Sequence, residues 1–490
     1  MPLSNFRILI LTVLVCVYCS ARTTWREQIL LYSMRQVESS ALVKPTGQLL
    51  FEGAMQGMLD KLGDELGDDY SMYVSPSEEK EFRAQLESKL EGVGIRFDLT
   101  APDGTFKVLY PILDSPALAA GIRCGDLILK VDGESTEKLN QSELVKKIKG
   151  EPDTQVVLTV QHSGESEPVD IPIRRASIQQ KTVFGFEVNE RGEAISEIPG
   201  FPKIGYICIS SFNENTAEEM VQQIQSFRTA QKLILDLRNN PGGYLDTAVK
   251  VADLFVDHRG PYKEIVTTRD RDSRAKYGGN YYATENILFH GPMIVLIDGG
   301  TASAAEIVAA CLQDFDRAKI LGQRSYGKGT VQEIVALPFE NGMMKLTDSS
   351  YWRPSGRNIN RIRRTAKIEN TRNSKLSEEA DDWGVMPDPD LEQKTTRNQR
   401  IVTYFLRDLR TGVPKSTLEP LLPFYREELC KDSKSLENFD DIEEENEEEL
   451  SKPQAFTPEG NAPFYDPVLD KAIEILSTET PILPSEPREL

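Results

Sequence analysis

The stretch from residue 293 to 332 constrains this chain more than any other. It reads MIVLIDGGTASAAEIVAACLQDFDRAKILGQRSYGKGTVQ. An unbroken apolar run (residues 293–297) stops at Asp298-Gly299-Gly300, turns through small residues that include Ser303, and passes into an alanine-rich helical stretch. Residues 206–210 and 233–237 are two further apolar runs of strand length, with a helical pattern at 217–228 between them. Strand, helix, strand at this spacing requires a crossover within an α/β layer.

At 490 residues the chain is too long for one ordinary domain, and two or three are expected. Its hydrophobic content of 39 % suits globular cores, and its formal net charge of −20 excludes nucleic acid as a partner, because phosphates would be repelled. Nine acidic residues crowd positions 437–449, within a solvated linker read at 437–450. At the other end Arg7 precedes an apolar stretch (residues 8–18) and Cys19-Ser20-Ala21, the layout of a signal peptide or a retained membrane anchor over residues 1–21. The protein is therefore expected to be exported, periplasmic or otherwise extracytoplasmic.

Residues 25–90 read as helical, with Leu49, Phe51, Met55, Met58, Leu59 and Leu62 at helical spacing and a second amphipathic stretch from 77 to 90. This region is a packing domain or a dimerisation arm. From about 91 to 176 the pattern becomes β-rich: strands are expected near 106–110, 127–131, 156–161 and 169–173, with one helix at 139–148. A catalytic region is expected from 181 to 391. A C-terminal extension follows (392–490), with helices near 400–409 and 466–476.

Only three histidines occur, His162, His258 and His290, and they are scattered, so a Ser-His-Asp triad has almost no material. Cys208 and Cys311 sit in apolar patterns and read as small core residues. No Cys/His spacing of zinc type is present, and neither a metal nor an organic cofactor is expected.

Ser303 has alanines on both sides, which lets a substrate carbonyl approach closely, and the helix starting there would aim free N–H groups at that carbonyl. The turn Asn240-Pro241-Gly242-Gly243 after the preceding strand can offer further N–H donors. The expected oxyanion hole is the N–H of Ala304 with one from Gly242 or Gly243. Lys328, between Gly327 and Gly329, can act as a general base where a dry site disfavours its charged form. If a strand starts at Thr330, even spacing puts Gln332 on the face of Lys328, where its amide could orient the amine. Taken singly, each has a plainer reading: Ser303 as a helix cap, Lys328 as a surface charge.

Two resemblances change that weighting. Asp114-Ser115-Pro116-Ala117, Ala120-Gly121-Ile122 and the run from Gly125 to Gly133 resemble a PDZ domain of the protease-associated kind. The resemblance implies that Gly92-Val93-Gly94-Ile95 hold the carboxylate of an extended peptide, which adds as a strand to an open sheet edge. Residues 40–390 resemble the C-terminal processing peptidases (carboxy-terminal or tail-specific proteases, peptidase family S41). The match rests on Gly299-Gly300-Thr301-Ala302-Ser303-Ala304, Glu306-Ile307, Leu312-Gln313-Asp314, Tyr326-Gly327-Lys328-Gly329, Val331-Gln332, the turn at 236–243, Tyr351, Pro354-Ser355-Gly356-Arg357 and Gly384-Val385-Met386-Pro387-Asp388.

That resemblance implies a multi-domain α/β protein: a helical N-terminal region, a PDZ module and a crotonase-like catalytic core. It implies Ser303 as nucleophile, Lys328 as base and Gln332 as its orienter, with Glu306 and Ser325 in supporting roles and Asp314 structural. Thr301 and Ala305 stand where relatives often have serine, and residues 361–383 look inserted. The function implied is a serine endopeptidase that captures exported proteins by their C-termini, with membrane association through the N-terminal segment and a homodimer as further expectations. The alternatives are a non-catalytic PDZ scaffold and an acyl-CoA enzyme on a crotonase-like core.

Overall fold

The computed structural model describes residues 24–86, 89–98, 106–112, 114–179, 181–259, 261–284, 287–361, 383–395, 397–414 and 466–478. The leader, the acidic linker and almost all of the inserted segment lie outside them. The chain divides into two compact units.

The smaller unit is built on the N-terminal helices Trp25–Ser40 and Gly47–Leu66 together with residues 332–347. Each helix opens on a threonine cap: Thr24 with Glu27 as a reciprocal capping box, and Thr46 on the Leu49 N–H. The second helix ends on Gly67 in the left-handed region. Met55 and Leu59 are buried against Tyr73, with Phe51, Leu62, Leu337, Met344 and Leu346 around them. Leu49 and Met58, which share the helical spacing, are exposed. The strand Met72–Val74, inside the region read as helical, pairs antiparallel with residues 343–345. Its β-branched and aromatic residues were outvoted in the sequence by the helical pattern on either side.

In the larger unit the PDZ module is an antiparallel sheet in the order Ile95–Asp98, Phe106–Pro111, Leu127–Val131, Gln155–Gln161, Val169–Arg174. Along Gln155–Gln161 burial alternates strictly: Val156, Leu158 and Val160 point inward, onto Val108, Ile128 and Leu144 of the helix Gln141–Ile148. His162 is buried and bonds Asp126 at 2.8 Å, a core histidine within this module.

The catalytic core holds four parallel strands in the order Phe201–Ile209, Lys232–Asp236, Met293–Ile297, Lys319–Gly322. Lys232–Asp236 and Met293–Ile297 are buried at every position, as parallel strands covered on both faces must be. Alternate residues serve opposite faces. Leu233, Leu235, Val295 and Ile297 meet the helices Leu245–Asp253 and Ala304–Asp314. Ile234, Ile294, Leu296 and Leu321 meet Val468, Leu469, Ala472, Ile473 and Leu476 of the helix Pro467–Thr478. The second face of the sheet is therefore covered by a segment from far along the C-terminal extension. The other described helix of that extension, Arg397–Gly412, reaches the PDZ module, where Asp408 lies 3.8 Å from Arg96.

Candidate active site

Three features of the core converge. Strand Lys232–Asp236 ends in the turn 239–243, strand Met293–Ile297 ends in the turn 298–303, and strand Lys319–Gly322 leads to Lys328. Parallel strands that stop at the same edge of a sheet bring the loops that follow them together.

Ser303 sits immediately before the helix Ala304–Asp314 with φ 55° and ψ −117°. A serine held at positive φ costs about 1–3 kcal/mol, a strain kept only where the surroundings impose it. What imposes it is Glu306, one turn on and fully buried. Its Oε2 accepts the Ser303 N–H at 2.8 Å and the Lys328 N–H at 2.8 Å, and its Oε1 accepts the Gly327 N–H at 2.7 Å and the Ser325 hydroxyl. A single carboxylate thus ties the backbone of the nucleophile candidate to the backbone of the base candidate. Ser325 Oγ in turn accepts the Val385 N–H at 2.7 Å, which docks the Gly384-Val385 segment on the same cluster.

Burial pushes the Glu306 carboxyl up to about 7, and the four donors pull it back only in part. The ordinary value is 4.5, so between pH 4.5 and about 7 the folded chain holds a proton that the unfolded chain releases. The contribution of Glu306 to stability is therefore full below pH 4.5 and declines as pH rises through that window, by on the order of 3 kcal/mol. Comparing melting temperatures of Glu306→Gln and the native protein at pH 5 and pH 8 checks this. The native protein is expected to lose stability relative to the variant on going to pH 8, and a constant difference would refute it.

The lysine turn is closely packed. A Cβ at Gly329 would stand 2.2 Å from the Asn360 N, and one at Gly327 would stand 2.7 Å from the Trp383 ring, with φ 85°. Lys328 itself is half-buried. Tyr351, which the sequence marks only as a matched family position, belongs to this cluster: its N–H donates to the Gly329 carbonyl at 2.8 Å, and its phenol lies near enough to the Ser303 side chain to be influenced by it. Burial pushes its phenol up to about 12, so it stays protonated at ordinary pH. Asp314 is structural, paired with Arg353 at 2.6 Å and capping the Ser355 N–H. Gln332 opens the segment 332–347 of the smaller unit, where its amide donates to Thr347 Oγ1 at 3.3 Å.

Facing Ser303 is the turn with two glycines. A Cβ on Gly242 (φ 98°) would stand 2.7 Å from the Ser303 Cβ and 2.9 Å from the Ala304 N, and one on Gly243 (φ 145°) would stand 2.0 Å from the Phe212 carbonyl oxygen. Only glycine fits either position. The two glycines differ in one respect that the sequence does not show. The Gly242 N–H is already given to Asn240 Oδ1 at 2.8 Å, whereas the Gly243 N–H has no acceptor among the described residues, which favours Gly243 of the two expected donors. Asn240 is committed in turn, its amide donating to the Ile209 carbonyl at 2.7 Å. Thr301 Oγ1 donates to the Leu237 carbonyl at 2.9 Å and so ties the two turns together.

In the PDZ module, Gly94 has φ 79°, and a Cβ there would stand 2.4 Å from the Ser115 Cβ. Ser115 Oγ donates to the Gly94 carbonyl and the Ala117 N–H to the Val93 carbonyl. Among the described residues the strand after this loop, Ile95–Asp98, pairs on one side only. No group of residues suited to a metal ion occurs among the described residues.

Residues 203–369 match the family model of peptidase family S41, and residues 107–162 match that of the PDZ domain. A carboxy-terminal-processing protease of Bartonella bacilliformis is 37% identical over 345 residues, covering 68% of this chain and 72% of that protein. Carboxy-terminal processing protease CtpB of Bacillus subtilis is 32% identical over 323 residues, covering 65% of this chain and 62% of that protein. Among solved structures, the photosystem II D1 C-terminal processing protease aligns at 26% identity with a TM-score of 0.40, over 74% of this chain and 86% of that one.

Proposed function

This chain belongs to the carboxy-terminal processing proteases of peptidase family S41, serine-type proteases that here carry a PDZ domain, and from that premise we propose that it cleaves exported proteins near their C-termini through Ser303 and Lys328. The observation that carries the proposal is the Glu306 carboxylate, bonded at once to the N–H groups of Ser303 and Lys328.

In the proposed reaction Lys328, as the neutral amine, takes the Ser303 hydroxyl proton as Oγ attacks the scissile carbonyl. The Ala304 N–H, first of its helix, and the Gly243 N–H receive the developing oxyanion. The protonated lysine then gives its proton to the leaving amine, and water resolves the acyl-enzyme. An orienting role for Gln332 rests on the family resemblance alone. Glu306 and Ser325 hold the loops, and no cofactor takes part. The PDZ loop 92–95 receives the substrate carboxylate, and the tail extends along the edge strand Ile95–Asp98. Ser303 at positive φ, next to glycine turns that leave its side chain room, supports a catalytic reading over a non-catalytic scaffold.

The helix Trp25–Ser40 has no buried residue and exposes Trp25, Ile29, Leu31 and Tyr32, which supports an N-terminal homodimer arm. No described helix is long and apolar enough to cross a membrane. Export and any membrane association are proposed from the leader composition alone.

A fluorophosphonate probe tests the nucleophile. Labelling is expected in the native protein and absent in Ser303→Ala, and mass spectrometry of exported proteins should show C-termini that depend on Ser303. Labelling that survives Ser303→Ala would remove the assignment.

A further inference from the structure

The turns that carry the proposed oxyanion donors and Ser303 are not held by the sheet alone. Asp298, at the end of strand Met293–Ile297, is buried, and its Oδ1 accepts the N–H groups of Asn239 and Gly300, each at 2.9 Å. One oxygen therefore pins the glycine turn to the serine turn. Its other oxygen, Oδ2, accepts the hydroxyl of Tyr404 from the helix Arg397–Gly412. Burial, with the adjacent Asp298 charge, pushes the Tyr404 phenol far above its ordinary range, so that it acts only as a donor.

A second clamp lies beside the first. Arg238 donates to Asp236 at 3.0 and 2.7 Å and, from the other side of its guanidinium, to Asp466 at 2.9 and 2.8 Å. Arg407 donates to the Arg238 carbonyl at 3.0 Å, four residues before Gly242. Burial opposes the charge on Asp236, but the guanidiniums of Arg238 and Arg407 more than offset it and hold the carboxylate ionised. Tyr404, Arg407 and Asp466 all come from the C-terminal extension, outside residues 203–369 that match the protease family model.

We propose that Tyr404 and Asp466 are positioning residues for this protease, and that the C-terminal extension is part of the scaffold of its active site. The inference rests on the Ser303 reading given above. Tyr404 decides where Asp298 aims its second oxygen, and Asp298 decides where Asn239 and Gly300 sit. Asp466 fixes the Arg238 side chain, and Arg238 begins the turn that ends at Gly243. Displacing such a turn by about 1 Å is enough to slow a reaction roughly 100-fold without weakening substrate capture at a separate site.

The test uses the full chain with Tyr404→Phe, which keeps the ring, and with Asp466→Asn as a second variant. Turnover of a protein substrate with a free C-terminal tail is measured per Ser303 titratable by fluorophosphonate. We expect kcat to fall about 10- to 100-fold in each variant. KM and the affinity of a tail peptide for the PDZ module should stay near native values, and fluorophosphonate labelling should slow in parallel with kcat. Asp466→Glu, which keeps the charge, should recover part of the loss. A variant that merely melts earlier but turns over normally per titratable serine would overturn the inference, as would a defect confined to KM. A native protein that hydrolyses substrate while its Ser303 resists the probe would instead fail the nucleophile reading, and the inference would fall with it.

Discussion

Lys328→Ala is expected to lower kcat/KM by about 1,000-fold, with the loss concentrated in kcat. The side chain is asked to act only when the proton leaves Ser303, so its removal should raise the barrier without changing the capture of a tail by the PDZ module. The turn around it should persist, because the Lys328 N–H held by Glu306 and the glycines packed on Asn360 and Trp383 belong to the backbone and remain in the variant. A melting temperature near that of the native protein, combined with the kinetic loss and slow fluorophosphonate labelling, is the expected result. Native turnover by the folded variant would remove Lys328 from the mechanism.

Gly242→Ala is expected to be nearly as damaging for a different reason. The added methyl would stand 2.7 Å from the Ser303 Cβ, 2.8 Å from the Ala302 carbonyl oxygen and 2.9 Å from the Ala304 N, and none of these atoms can rotate aside. The φ of 98° adds strain of roughly 1–3 kcal/mol for any residue with a Cβ. Relief requires the two turns to separate, which takes the Gly243 N–H away from the Ala304 N–H and should cost roughly 100-fold or more in kcat. Gly299→Ala is the control: it lies in the neighbouring turn, but nothing stands within 4 Å of its Cβ direction. Kinetics and thermal melts of the two variants decide the matter. Equal activity in both would show that the close approach of Gly242 to Ser303 does not matter for catalysis.

The readable parts of the site were those made by covalent neighbours. Gly242-Gly243, Ser303 with its alanines, and Gly327-Lys328-Gly329 each carry their conformational demands within a few residues. A sequence displays such demands directly. The parallel strands were readable for a related reason: residues buried on both faces leave an uninterrupted apolar run, as at Met293–Ile297. Glu306 was visible near the site, and its hold on the Ser303 N–H follows capping-box spacing, but its other three donors come from residues 325–328, and no spacing rule joins those to it. Tyr351 stood in the sequence only as a matched family position, and the fold alone sets its backbone against Gly329 and its ring near Ser303. Likewise, nothing in Asn240-Pro241-Gly242-Gly243 says that the Asn240 side chain will claim the first glycine N–H and leave the second open.

By itself, then, the sequence determined an α/β core and a β-rich module, and through family resemblance it singled out Ser303 and Lys328 as the proposed pair. It did so because strand burial, glycine conformations and the scarcity of histidine are local or compositional properties. The tertiary structure alone decided which atoms hold the backbones of those two residues. The C-terminal extension read in the sequence as two helices of open role around an acidic linker. In the fold, one helix covers the second face of the sheet with Leu469, Ala472 and Leu476, and partly buried hydrogen bonds at Tyr404 and Asp466 tie both helical segments to Asp298 and Arg238, beside the turns that carry Gly242 and Ser303. A buried carboxylate or guanidinium must find a partner, and the partner it finds depends on which distant segment packs beside it, a choice that no local pattern in the chain records.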